Sequence, residues 1–262
     1  MKINILKYVY KSFMAGFPLI TYNPLSRNQF IAEYMVKPQS TYVNYELDFN
    51  QRVYLSKYLE VVSNNLKMEP LKIYAEDKKE SYYLSVNIYN CTSPLFSLFT
   101  KEPVTRCEIN TYVSNENGEK GTLILDYCSN IISMDPDNIF KKETLNTQFI
   151  KNYKTIISSA VDRFFNFTGT IMSSDSDRIT NLNTDMYVYT DNIFYINGII
   201  DKLYYDSSLT HGNILLPKDY NISFKFMDMN FNAPHSVFYF NDSIQFTGSL
   251  WDNLFKINST EL

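Results

Sequence analysis

The segment TRCEINTYV, residues 105–113, alternates strictly along its length. Cys107, Ile109, Thr111 and Val113 point to one side, and Arg106, Glu108, Asn110 and Tyr112 to the other. A period of two with β-branched and aromatic residues is the signature of a strand. The tip SNENGEK (114–120) follows, and then GTLILDYCSNII (121–132). Asn117-Gly118 between two such runs is the strongest short hairpin signal, so 105–113 is expected to pair antiparallel with 121–129. One face of this hairpin is apolar and belongs in a core. The other carries a cation, a carboxylate, an amide and a phenol in a row. On an outer, solvated face this is a cross-strand Arg–Glu pair worth at most ~1 kcal/mol. Lining a barrel or cleft, it is a ligand-binding surface.

Upstream, YYLSVNIYN (82–90) reads as a further strand, and with 71–75 it flanks the charged tip EDKKE (76–80). Residues 51–67 carry Tyr54, Leu55, Tyr58, Leu59, Val62 and Leu66 at three- and four-residue spacing, which predicts a helix with Asp48 or Asn50 as its cap. Residues 30–45 read as one or two strands around Pro38. Downstream, Leu145, Phe149, Tyr153, Ile156, Ile157, Ala160, Val161 and Phe164 form an apolar stripe. That stripe predicts a long amphipathic helix over about 143–165, packed on the sheet. The polar run 166–185 reads as a loop, and 186–189, 193–196, 199–205, 222–231, 237–240 and 244–247 as strands.

The expected fold is therefore α+β: a predominantly antiparallel sheet or partly closed barrel with one long helix. No linker divides the chain, so residues 1–262 are taken as a single domain. Hydrophobic residues at 45%, with 22 Tyr, 19 Phe and only 7 Gly, supply a substantial core built from aromatic strands.

A formal charge of −4 argues against a nucleic-acid partner, which demands a concentrated basic surface. No stretch is long and apolar enough to predict a membrane-spanning helix. Lys2, Lys7 and Lys11 break up the apolar N-terminus and leave no signal-peptide core. Cys91, Cys107 and Cys128 are odd in number and read as buried free thiols in a reducing compartment, so a cytoplasmic location is expected. Five Asn-x-Ser/Thr triplets, such as 166–168 and 221–223, read as chance in so Asn-rich a chain.

The specific catalytic patterns are missing: no Gly-x-Ser-x-Gly elbow, no phosphate-binding glycine loop and no His-Glu-x-x-His. His211 and His235 are the only histidines, and Asp175, Asp177 and Asp185 lack the glycine and terminal glutamate of a calcium loop. No metal and no cofactor are expected.

The run from Arg106 to Val113 through Asn117-Gly118 to GTLILD (121–126), with LSVNIY (84–89) before it, resembles the central hairpin of the acetoacetate decarboxylase-like superfamily. The resemblance covers about 60 residues. It implies a curved antiparallel sheet or barrel around a small-molecule cavity. In that family a Schiff-base lysine follows the hairpin, and the nearest equivalent here is Ile139-Phe140-Lys141-Lys142, which lacks the family's Gly and Pro. The resemblance thus implies Lys141 or Lys142 as the nucleophile toward a keto acid and Glu108 as proton shuttle or positioning group. It implies Arg106, Asn110 and Tyr112 as substrate-binding groups. Read by themselves, the two lysines are solvated charges at the start of the predicted helix. The expected function is small-molecule binding on this scaffold, with keto-acid chemistry as its enzymatic form. The alternative is a non-enzymatic structural or interaction component, and either could be a homo-oligomer.

Overall fold

The structure is a computed structural model that describes residues 20–22, 30–62, 68–74, 80–92, 104–116, 118, 120–130, 146–172, 178–181, 194–196, 199–201, 203–204, 213–240 and 244–249. In chain order the elements are β1 (Ile20–Tyr22), β2 (Phe30–Glu46), α1 (Phe49–Val62), β3 (Glu69–Pro70), β4 (Ile73–Tyr74), β5 (Glu80–Ser81), β6 (Tyr83–Thr92), β7 (Val104–Ser114) and β8 (Lys120–Ser129). They continue with β9 (Gln148–Asn152), β10 (Thr155–Val161), β11 (Phe165–Met172), β12 (Arg178–Asn181), β13 (Phe194–Ile196), β14 (Ile199–Asp201) and β15 (Leu203–Tyr204). The last are β16 (Asn213–Leu216), β17 (Asp219–Phe226), β18 (Met229–Phe231), β19 (Ser236–Phe240) and β20 (Ile244–Ser249).

The strands form two main sheets. The larger runs β12-β16-β19-β2-β6-β7-β8-β13-β14, and the smaller runs β18-β17-β11-β10-β9. Among the described strands, pairing is antiparallel except where β13 runs parallel to β8. The hairpin forms as the alternation predicts, with Cys107 opposite Cys128 and Glu108 opposite Tyr127. Its register shifts between Ile109 and Asn110: Ile109 pairs with Asp126 and Asn110 with Ile124, leaving Leu125 as an extra residue. Such a bulge sharpens local twist and re-aims the residues that follow. At the tip, Gly118 holds φ at 76°, the left-handed region that glycine enters without steric cost.

The apolar face of the central strands packs against the smaller sheet. Val43, Val86, Ile88, Cys107, Ile109, Val113 and Leu123 share one core with Phe149, Ile156, Ala160, Phe167, Ile171, Phe224 and Phe226. Helix α1 joins the same core through Leu55 and Leu59. Its N-terminus is closed by a reciprocal pair: Gln51 N donates to Asp48 Oδ1 at 2.8 Å and Asp48 N to Gln51 Oε1 at 2.9 Å. That arrangement satisfies two of the backbone donors a helix start leaves open, and it makes Asp48 the cap.

The segment predicted as a helix over 143–165 has no helix in its described residues 146–165. Its described part is β9, β10 and the start of β11. The register is fixed by pairs such as Ile157 with Ile150 and Ala160 with Phe167. Phe149, Ile156 and Ala160 sit inside in either geometry, because their spacings suit a helical stripe and one face of a hairpin alike, Phe149 standing opposite buried Ser158. Tyr153 at φ 42° makes the turn that splits the stripe in two. Beyond it the pattern is Ile156, Ser158 and Ala160 buried while Ile157 is 42% exposed, the period of a strand. The expected loop over 166–185 is likewise corrected: β11 and β12 occupy much of it. Its polar residues Asn166 and Thr168 form the exposed side of β11 and alternate with buried Phe165, Phe167 and Ile171. The strand expected at 186–189 lies outside the described residues.

Candidate functional site

The second face of the large sheet is buried as well. Arg106 is 2% exposed, Glu108 5%, Asn110 2% and Tyr112 6%, so the outer, solvated alternative does not hold for this face. Register places their neighbours. Tyr89 lies opposite Arg106, Asn87 opposite Glu108 and Ser85 opposite Asn110 on β6. On β2 beyond them, Tyr42 faces Asn87 and Asn44 faces Ser85. A sheet with both faces covered ordinarily reads as a continuous apolar run. Here alternate residues remain polar throughout the covered face.

Arg106 and Glu108 form the centre of this face. Arg106 Nε donates to Glu108 Oε1 at 2.6 Å, and the Tyr89 hydroxyl donates to the same oxygen at 2.7 Å. The guanidinium lies 4.1 Å from the centroid of the Tyr127 ring, close enough for a cation–π contact. Burial pulls the Arg106 pKa down, but the Glu108 charge and hydrogen bond, with Tyr89 and Tyr127, together outweigh it and hold the group firmly protonated. Taking two charges out of water costs several kcal/mol per ion, and only full hydrogen bonding recovers it. The recovery is incomplete: Arg106 Nη1 is buried with no hydrogen-bond partner among the described residues.

Further groups on this face are open in the same way, among them Ser40 Oγ opposite Tyr89. Asn87 Nδ2 donates to the Tyr42 hydroxyl at 2.9 Å, while Asn87 Oδ1 has no partner among the described residues. Asn110 Oδ1 has none either. Farther along, a polar chain runs from Ser236 through Asn44 and Ser85 to Tyr112. Asn44 Nδ2 donates to Ser236 Oγ at 3.1 Å, Ser85 Oγ bonds Asn44 Oδ1, and the Ser85 and Tyr112 hydroxyls lie 3.3 Å apart. Burial raises the Tyr112 pKa against the opposing effect of its Ser85 hydrogen bond, and the phenol stays neutral.

The structure thus brings Arg106, Glu108, Asn110 and Tyr112 onto one buried face. Lys141 and Lys142, with His211, Asp175, Asp177 and Asp185, lie outside the described residues. Tyr89, Asn87 and Tyr127 escaped the sequence reading. Their signal was available only in retrospect: each stands directly opposite Arg106 or Glu108 once the register is known. Cys107 and Cys128 are buried thiols, not joined in a disulfide, on the opposite, apolar face, where burial pushes the Cys107 thiol well above its usual pKa. Among the described residues, no three of His, Cys, Asp and Glu are grouped as metal ligands, and no helix is long and apolar enough to cross a membrane.

A separate open groove of about 440 Å³ lies beside α1, with Phe49, Arg52, Val53 and Tyr82 among its walls. Phe49 is 68% exposed there, and the Arg52 guanidinium sits 5.1 Å from the centroid of the Tyr82 ring.

No family model and no curated protein matches the sequence. Among solved structures, the chain is similar to an acetoacetate decarboxylase-like enzyme from Sphingomonas wittichii RW1, at TM-score 0.44 and 9% identity over 87% of this chain and 96% of that one. It is similar also to the enduracididine biosynthesis enzyme MppR with HEPES buffer bound, at TM-score 0.44 and 9% identity over 82% and 85% of the two chains. MppR complexed with the condensation product of pyruvate and imidazole 4-carboxaldehyde matches at TM-score 0.43 and 10% identity over 82% and 86%. These neighbours include the family that the hairpin resembles. Superpositions this loose carry neither a residue role nor a reaction across, so the site stands on its own geometry.

Proposed function

We propose that the protein binds a small carboxylate on the Arg106 face. The observation that carries this reading is Arg106 Nη1, a charged donor buried beside Glu108 with no partner among the described residues. An unmade hydrogen bond on a buried charged group costs more than the usual 1–3 kcal/mol, and an incoming carboxylate removes that cost. A guanidinium is also the side chain whose planar fork matches a carboxylate best. Glu108 and Tyr89 hold the guanidinium in place, and Tyr127 supports it from one side. Because these atoms are shut off from water, entry requires local opening, and association is expected to be slow.

The enzymatic form of this proposal is a keto acid whose ketone carbon is attacked by the amine of Lys141 or Lys142, the carbonyl oxygen leaving as water to give an iminium. The amine must be neutral to attack, which requires desolvation or a neighbouring cation. Glu108 then serves as proton shuttle or positioning group. Support for this step is the hairpin resemblance alone. Calorimetric titration with pyruvate and acetoacetate tests binding. Arg106→Met should abolish it, and wild type that binds no carboxylate overturns the proposal. Borohydride trapping followed by peptide mass mapping tests the chemistry separately. An adduct on neither lysine removes the reaction and leaves the binding reading intact.

One observation favours the rival reading of an interaction component: the exposed Phe49 that lines the groove beside α1. Sedimentation decides it. An oligomer that Phe49→Ser converts to monomer, together with failure to bind any carboxylate, would replace a ligand-binding role with an assembly role.

A further inference from the structure

We infer that the ligand of this face is a hydroxy carboxylate, its hydroxyl groups donating to Asn87 Oδ1 and Asn110 Oδ1 while its carboxylate meets Arg106 Nη1. The inference rests on the proposed binding reading and specifies its substrate class. Asn87 is 1% exposed and Asn110 2%, and both amide oxygens lack a partner among the described residues. The two acceptors and the donor share one face by register. Asn87 stands opposite Glu108, which places it diagonal to Arg106 on one side and to Asn110 on the other. Diagonal neighbours in an antiparallel pair lie about 7–8 Å apart, and Arg106 to Asn110 along the strand is roughly 13 Å. A short chain with an acid at one end and hydroxyls beyond it matches that layout.

Charge decides between hydroxyl and ammonium as the donor. An amide oxygen accepts from either, but a buried ammonium needs a carboxylate of its own. Glu108 is engaged by Arg106 and Tyr89, and Asp126 pairs in register with Ile109 on the other face. Glu46, farther along β2, is bonded by Ser81 Oγ at 2.7 Å. A ligand carboxylate then shares the Arg106 guanidinium with Glu108, and neutral hydroxyls on the two asparagines add no further buried charge. A plain aliphatic acid would satisfy Arg106 and leave both amide oxygens unpaired, and that selects against it.

The test compares gluconate with hexanoate, a hydroxylated and a bare straight-chain acid, by calorimetry on wild type, Asn87→Leu, Asn110→Leu and Arg106→Met. Gluconate should bind wild type about tenfold tighter or more, the worth of one to two hydrogen bonds. Either asparagine variant should narrow that ratio toward one by weakening gluconate and sparing hexanoate. Arg106→Met should abolish both. Equal affinities in wild type, each dependent on Arg106, overturn this inference and leave carboxylate binding standing. Tighter binding of 6-aminohexanoate than of gluconate overturns it too. Binding of neither acid, with pyruvate and acetoacetate also failing, sinks the proposed function itself. The wild-type ratio alone decides the matter if an asparagine variant fails to fold.

Discussion

Glu108 and Ile109 are adjacent in sequence and have opposite surroundings, because successive strand residues point to opposite faces. Ile109 is fully buried among apolar side chains. Ile109→Asp should therefore cost roughly 4 kcal/mol or more by burying an unpaired charge, measured as a drop in the denaturant midpoint. Near-wild-type stability would show that the register is inverted. Glu108 faces the other way and neutralises Arg106. Removing it alone strands a guanidinium, so Glu108→Ala should lose about 3–5 kcal/mol. Adding Arg106→Met to Glu108→Ala should recover most of that loss, since the stranded charge is gone. If the double variant is no more stable than Glu108→Ala, the pair is not what holds this face together.

At the scale of elements, the segment 148–161 separates periodicity from structure. A helical stripe places Ile156 and Ile157 both inward, whereas β10 buries Ile156 at 1% exposure and leaves Ile157 at 42%. Ile156→Ala should then cost about 2–5 kcal/mol, while Ile157→Ala stays within roughly 0.5 kcal/mol. Comparable losses from the two substitutions would restore the helix. The sequence was ambiguous here for a physical reason. Two short strands joined at a tight turn can bring apolar residues into the three- and four-residue spacing of a helix, and the turn at Tyr153 carries neither Gly nor Pro to mark it. The hairpin 105–129 had no such ambiguity, because its alternation is long and its Asn-Gly tip is explicit.

At the scale of the whole molecule, burial holds Cys107, Tyr112 and Tyr58 in their neutral forms, and this sets the alkaline pH response. Cys107 lies well above its usual pKa chiefly through burial, Tyr112 is raised for the same reason, and Tyr58 is pushed up to about 12. A group whose folded pKa exceeds its unfolded one contributes stability that is intact below the unfolded pKa and fades as pH rises through the folded value. Stability should accordingly decline above about pH 8.5, where unfolded thiols ionise, and more steeply above about 10, where unfolded phenols do. Chemical denaturation across that range checks it, with Cys107→Ala delaying the onset. A midpoint that rises with pH there would contradict the burial of these groups.

Local residue order determined what depends on neighbours in the chain: the β7–β8 hairpin, the capped helix α1 and the apolar face through Cys107, Ile109 and Val113. Alternation also put Arg106, Glu108, Asn110 and Tyr112 on one side. It could not say whether that side met water, because the answer depends on what lies across the sheet. Only the tertiary structure decided that it is buried, that Tyr89 and Asn87 stand opposite the ion pair, and that 148–161 folds as strands. Register between β6, β7 and β8 joins residues far apart in sequence through backbone hydrogen bonds that every residue type except proline can make, so the side chains carry little trace of it.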